Sequence, residues 1–247
     1  MALPDWQPDD LLSPVPNVVS VWRVPMEIHR PLDDVEWSLL NHDERARAER
    51  FKFDEPRIRL VRCRYALRTL LGRWLSCDPT AIQFRYGEHG KPELAHEQNG
   101  PAFNVSHSHD WGLIAMTATG DLGIDVERMD PRTTWNGLAR RFYSAREVAA
   151  LDSLPANKQL AGFYGIWTGK EAFIKALGRG LSFPLASFSV QSDPDQPPRL
   201  LAVDNDSEAP HRWQMATVSP DENYAATVRW TGTANGIVCR DFVTAKD

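Results

Sequence analysis

The 247 residues suffice for one large domain or two small ones, and apolar and charged fractions of 42% and 25% are those of an ordinary globular protein. A net charge of −5 argues against general affinity for nucleic acid, and three cysteines without a CxxC pair argue against a disulfide framework or a cysteine zinc site. Residues 1–16 hold acids and prolines where a signal peptide would have an apolar core, and no stretch approaches the length of a membrane span, so the expectation is a soluble cytoplasmic protein.

Valine-rich alternation over 17–28 predicts a first strand. Residues 33–52 read as a helix, with Asn41 and Glu44 spaced as a capping box. The strongest helical pattern of the first half covers 57–75, where Ile58, Val61, Tyr65, Leu67, Leu70 and Leu71 lie on or near one face. Strands are predicted over 81–86 and 111–118, with a turn at Gly87 and Gly90 before Lys91-Pro92. The same plan then recurs. Residues 64–72 precede 170–178 at an offset of 106, which sets Ala66 on Ala172, Leu71 on Leu177 and Gly72 on Gly178. That offset also sets 82–84 on 188–190, and 111–118 has a counterpart near 224–230. The expected fold class is α/β (α+β): two similar halves, 1–119 and 120–247, related by pseudo-twofold duplication, with the active site at their interface. Residues 192–198 and 204–210 read as surface loops.

Leu122, Ile124 and Val126 alternate with Gly123, Asp125 and Glu127. On a strand the apolar set faces a core and the two carboxylates share the other face. Alone, such a pair is also common on a solvated strand; held together, it suits a hard cation such as Mg²⁺, with Mn²⁺ able to replace it. Downstream, Trp167, Glu171 and Lys175 recur at spacing four and stack along one helix face. Glu171 and Lys175 match an ordinary surface ion pair, but Trp167 on their stripe implies a partly buried face, where a metal and a phosphate would give the pair a purpose. Phe103–Ser108, just before a predicted strand, offers the Ser106 hydroxyl and the His107 imidazole to a phosphate, or is simply a polar turn with His109 near its tip. Gly90-Lys91-Pro92 sets a cation on a stiff turn, suited to a phosphate or to an exposed hairpin tip. Arg47 and Arg59 belong to a basic face that nearby acids largely balance, with one or two arginines left over for a nucleotide phosphate.

In this order FNVSHS, GIDVE and WTGKEAFIKALGRGL, with GKP upstream, resemble the Sfp-type 4′-phosphopantetheinyl transferases over residues 20–230. The resemblance implies Mg²⁺-dependent transfer of the phosphopantetheine arm of coenzyme A to a serine of an acyl or peptidyl carrier protein. It implies a metal held by Asp125, Glu127 and Glu171, with Glu171, Lys175 and His107 as catalytic groups. It assigns Arg47, Arg59, Lys91, Ser106, His107 and Lys175 to coenzyme A. Glu44 departs from the pattern, standing where some relatives carry a basic residue near the 3′-phosphate. Carrier proteins of this family's enzymes are acidic around the serine, so an apolar patch with basic neighbours is expected at Phe142, Tyr143 and Arg146 or around Trp135. Fatty-acid, polyketide and nonribosomal-peptide carriers all remain open, although the two-half form resembles enzymes of secondary metabolism. No nucleic-acid or membrane partner is expected, and a duplicated chain suffices as a monomer.

Two other readings compete. A metal-dependent nuclease would carry E-x-K on a strand, whereas here E-x₃-K lies on a predicted helix of an acidic chain. A non-catalytic coenzyme A- or carrier-binding module would have no need of Asp125, Glu127, Glu171 and Lys175 together.

Overall fold

The computed structural model describes residues 3–9, 15, 17–95 and 100–243. The chain opens with β1 (Trp6–Pro8). The first half continues through β2 (Val19–Pro25), α1 (Asp34–Ser38), α2 (His42–Glu49), α3 (Asp54–Leu75), β3 (Phe84–Tyr86), β4 (Pro92–Leu94), β5 (Ala102–Ser108) and β6 (Trp111–Thr117). The second half contains β7 (Leu122–Arg128), α4 (Trp135–Phe142), α5 (Ala145–Ser153), α6 (Ala156–Leu177), β8 (Phe188–Val190), β9 (Leu200–Val203), α7 (Ala209–Arg212), β10 (Gln214–Thr217), β11 (Tyr224–Trp230) and β12 (Ile237–Asp241).

Local chemistry sets the boundaries. The single helix expected over 33–52 is two helices, because Asn41 caps α2 and Glu44 returns the reciprocal bond. A capping residue stands outside the helix it starts, so the chain must break there. The strand expected over 81–86 is shortened to β3, since Pro79–Ala81 wind as a 3₁₀ turn capped by Asp78. Residues 103–108, placed just before a strand or read as a polar turn, instead lie within strand β5. Helix α6 ends at Gly178, whose φ of 65° is the left-handed conformation that stops a helix.

The duplication is visible in the pairing. β2 pairs antiparallel with β6, and β6 with β5, just as β7 pairs with β11, and β11 with β10. The β3–β4 hairpin is matched by β8–β9. Helices α3 and α6 each have 22 residues, so Leu75 corresponds to Leu177. The expected match of Gly72 with Gly178 is therefore one helical turn out of step, a slip that returns nearly the same face. In the hairpins Phe84 corresponds to Phe188, so 84–86 rather than 82–84 matches 188–190.

β12 leaves the second half and pairs parallel with β2, giving a sheet β1-β12-β2-β6-β5 beside the three-stranded β10-β11-β7. Val19, Val21, Leu113 and Ala115 share one apolar cluster with Leu122, Ile124, Val126 and Val228, so the halves have a common core. Among the described residues no helix is long and apolar enough to cross a membrane.

The helix layer of the second half hides a charge pair. Ser144 and Glu147 cap α5, and Glu147 Oε2 lies 2.8 Å from Lys170 Nζ, with both side chains wholly buried. Lys170 also donates to the carbonyls of Leu185 (2.7 Å) and Phe188 (2.6 Å). Burial lowers the Lys170 pKa to about 8 against the opposing pull of Glu147. Removing one partner strands the other charge. Glu147→Ala should cost about 3–5 kcal/mol in urea unfolding; a loss below 1 kcal/mol would show that the pair does not hold α5 to α6.

Candidate active site

The site forms where α6 crosses β7. A Cβ on Gly123 would stand 2.0 Å from the Ala172 carbonyl oxygen and 2.5 Å from the Ala176 nitrogen, so only glycine permits this approach. The helix thereby brings Glu171 and Lys175 to the strand face carrying Asp125 and Glu127, while Leu122, Ile124 and Val126 enter the shared core as alternation predicts.

Lys175 Nζ donates to Asp125 Oδ1 (2.6 Å) and to Ser106 Oγ (2.9 Å), and Ser106 in turn donates to Asp125 Oδ1 (2.9 Å). The alternative of a Glu171–Lys175 surface pair is not realised; Lys175 turns to Asp125 instead. Ser108 Oγ donates to Glu127 Oε2 at 3.0 Å. Two carboxylate oxygens, Asp125 Oδ2 and Glu171 Oε1, are buried without a hydrogen-bond partner. Burial first, and the Asp125 charge second, push the Glu171 pKa up to about 7. Glu127 is raised for the same reasons, while its bond from Ser108 opposes the rise.

Crowded carboxylates with unmet oxygens are the donor chemistry of a hard divalent cation. Among the described residues, as they stand without a cation, no three His, Cys, Asp or Glu side chains are gathered into a metal-holding cluster. The Lys175 ammonium supplies positive charge at Asp125.

The nucleotide-side expectations fare unevenly. Strand alternation sets His107 on the face opposite Ser106, toward the side of Phe103 and Val105. Desolvation first, and then the charges of Lys175, Arg59 and Arg47, lower its pKa. Arg47 is exposed, and Arg59 donates to the His109 carbonyl (2.8 Å) and to Glu55 (3.1 Å). Lys91 differs from the expected exposed or phosphate-facing turn. Its ammonium donates to the carbonyls of Ala176 (2.9 Å) and Leu122 (3.2 Å), tying the hairpin to the end of α6, and burial lowers its pKa. That leaves one N–H for a ligand. Glu44 faces inward, 2.8 Å from Arg68 Nε, so its departure from the family pattern serves packing.

The expected carrier patch is mostly core. Tyr143 is buried, with its hydroxyl donating to the Phe163 carbonyl (2.8 Å). Phe142 packs edge-on to Trp167 and Trp135 tilts against Phe163, so these rings support α6; Arg146 stays exposed.

Sequence reasoning missed Asn104 and Ser108. Asn104 Oδ1, Ser106 Oγ and Ser108 Oγ accept from the N–H groups of Ile124 (2.9 Å), Val126 (3.4 Å) and Arg128 (3.1 Å), bridging the halves. Their signal was the run of small polar residues at alternate positions of FNVSHS, legible only once that segment is known to be a strand.

Comparison with known proteins bears on what this site is. Residues 121–229 match the model of the 4′-phosphopantetheinyl transferase superfamily, and residues 33–119 match that of the 4′-phosphopantetheinyl transferase N-terminal region. HetI, a 4′-phosphopantetheinyl transferase of Nostoc sp., is 35% identical over 90% of this chain and 91% of its own. The chain belongs to the 4′-phosphopantetheinyl transferase family. Sfp of Bacillus subtilis, also a 4′-phosphopantetheinyl transferase, is 34% identical over 67% of this chain and 74% of its own. A Synechocystis protein given the same name provisionally is 37% identical over 85% of this chain and 86% of its own. A Thermotoga maritima holo-[acyl-carrier-protein] synthase structure overlaps 46% of this chain at a TM-score of 0.36 and 18% identity, too loosely to bear on the site.

Proposed function

We propose that this family member transfers the 4′-phosphopantetheine group of coenzyme A to a serine hydroxyl of an apo acyl or peptidyl carrier protein, with Mg²⁺ or Mn²⁺ bound and as a monomer. The observation that carries the reading is the juxtaposition of Asp125, Glu127, Glu171 and Lys175, with two buried carboxylate oxygens lacking donors, where α6 crosses β7.

Asp125, Glu127 and Glu171 would hold the cation, which when bound offsets charge on the pyrophosphate and on the departing 3′,5′-ADP. Glu171, poised near neutrality, takes the proton of the carrier serine as the serine oxygen bonds to the β-phosphorus and the bond to 3′,5′-ADP breaks. Lys175 donates hydrogen bonds to the phosphate oxygens once it leaves Asp125, and Ser106 and His107 steady the nucleotide side. Arg47 and Arg59 lend positive charge there, and Lys91 offers its remaining N–H. Incubating the protein with coenzyme A, Mg²⁺ and an apo carrier, then weighing the carrier, tests the reading: a gain of the phosphopantetheine mass supports it, and no gain across several carriers rejects it.

The raised Glu171 pKa also predicts how metal-free stability depends on pH. The folded value exceeds the usual 4.5, so the protonated fold is favoured below that value and stability is lost as pH rises toward about 7. Relative to wild type, Glu171→Gln should gain about 1–3 kcal/mol between pH 5 and pH 8, and millimolar Mg²⁺ should raise the wild-type Tm at pH 8 but not at pH 5. Parallel pH profiles for the two proteins would contradict the assignment.

A further inference from the structure

We propose, building on the metal reading above, that Ser108 is a positioning residue that fixes Glu127 and the end of β7 for cation binding through a side-chain joint between the halves. β5 and β7 belong to different sheets, and no main-chain ladder joins them among the described residues. The N–H groups of Ile124, Val126 and Arg128 nevertheless need acceptors, because an unmet buried amide is costly. Asn104, Ser106 and Ser108 provide them at alternate positions of β5. Both strands have a period of two, so three such bonds lock their register, and a slip of one residue would turn the carboxylates to the wrong face.

A hydroxyl can accept and donate at once. Ser108 Oγ accepts from the Arg128 N–H at 3.1 Å and donates its proton to Glu127 Oε2 at 3.0 Å, so strand register becomes carboxylate position. It also lies 3.3 Å from His109 Nδ1, a contact in which Ser108 can only accept once its proton is committed to Glu127. Asn104 lacks a carboxylate partner of this kind, and Ser106 shares Asp125 with Lys175. Ser108 is therefore the tooth of the joint whose loss reaches Glu127 without touching Lys175.

The test is Mn²⁺ binding to the full chain, with free Mn²⁺ followed by electron paramagnetic resonance. Ser108→Ala should weaken binding about tenfold, the range seen when a group supporting a metal ligand is lost. Ser108→Cys, nearly the same shape, should lose as much, which keeps the test sound if the alanine variant folds poorly. Ser108→Thr should recover affinity to within about threefold of wild type. Ser108→Ala should add little to Glu127→Gln, because one acts through the other. Amide exchange over residues 126–128 should quicken in the Ala and Cys variants and not in the Thr variant. Mn²⁺ affinity within threefold of wild type for both Ala and Cys variants, beside a clear loss in Glu127→Gln, would overturn the proposal; so would full additivity of the two losses. Failure of the wild type itself to bind Mn²⁺ would overturn the metal reading and this proposal together.

Discussion

Glu171→Gln is expected to lower the transfer rate by about 10²–10⁴-fold, the usual contribution of a general base, while coenzyme A binding stays within about tenfold. Glutamine keeps the length and packing of the side chain and removes its ability to take a proton. Glu171 is poised for that task because burial and the Asp125 charge bring its pKa up to about 7, so near neutrality it is ionised often enough to act and basic enough to hold a proton. Its Oε1 is buried without a hydrogen-bond donor, and the nearby Lys175 charge only partly opposes the rise. Coenzyme A affinity rests on other groups, Lys175, Ser106 and the basic side of β5. The sign with pH follows: activity falls as acid protonates Glu171, and a bound cation, which favours the carboxylate, moves that limb below 7. A time course of carrier mass and calorimetry of coenzyme A binding check both halves of the expectation. Near-normal turnover would remove Glu171 from the base role.

Gly123→Ala is expected to be nearly as damaging for a different reason. The added Cβ meets main chain, the Ala172 oxygen at 2.0 Å and the Ala176 nitrogen at 2.5 Å, and neither can swing aside. Helix α6 must lift from β7, at an overpacking cost of about 1–3 kcal/mol. The Lys175–Asp125 contact of 2.6 Å opens as it does so. A displacement of about 1 Å at reacting groups costs about 10²-fold in rate, so Gly123→Ala should retain about 1% of activity with a lowered Tm. Gly137→Ala is the matched control: its added Cβ meets nothing within 4 Å, and alanine favours helix α4. Equal activities of the two variants would show that the close crossing is not what aligns the site.

The sequence revealed faces well and partners poorly. Alternation in LGIDVE told which side chains of β7 enter the core, because a strand's period is two whatever packs on it. Spacing four set Glu171 and Lys175 on one stripe, but their neighbours lie on another strand, and nothing local said that Lys175 would choose Asp125, 50 positions away. Lys91 reads as a turn cation until the carbonyl of Ala176, 85 positions on, is seen to take it. Glu44 and Lys170 are likewise each buried by a partner that the sequence cannot bring near. The aromatic run at 142–143 looked like a docking patch because apolar character alone does not distinguish a core from an interface. The repeat was legible in its order of elements and slipped in its alignment, since one helical turn barely changes the pattern of a face.

The last strand has a consequence for how the chain is made. β12 fills the open side of β2, and Arg23 binds Asp241 across 218 positions at 2.5 Å. While a ribosome is still synthesising residues 120–236, one flank of β2 has no main-chain partner. The sheet around β2 cannot be completed until residues 237–241 emerge, so that step is a long-range one and correspondingly slow.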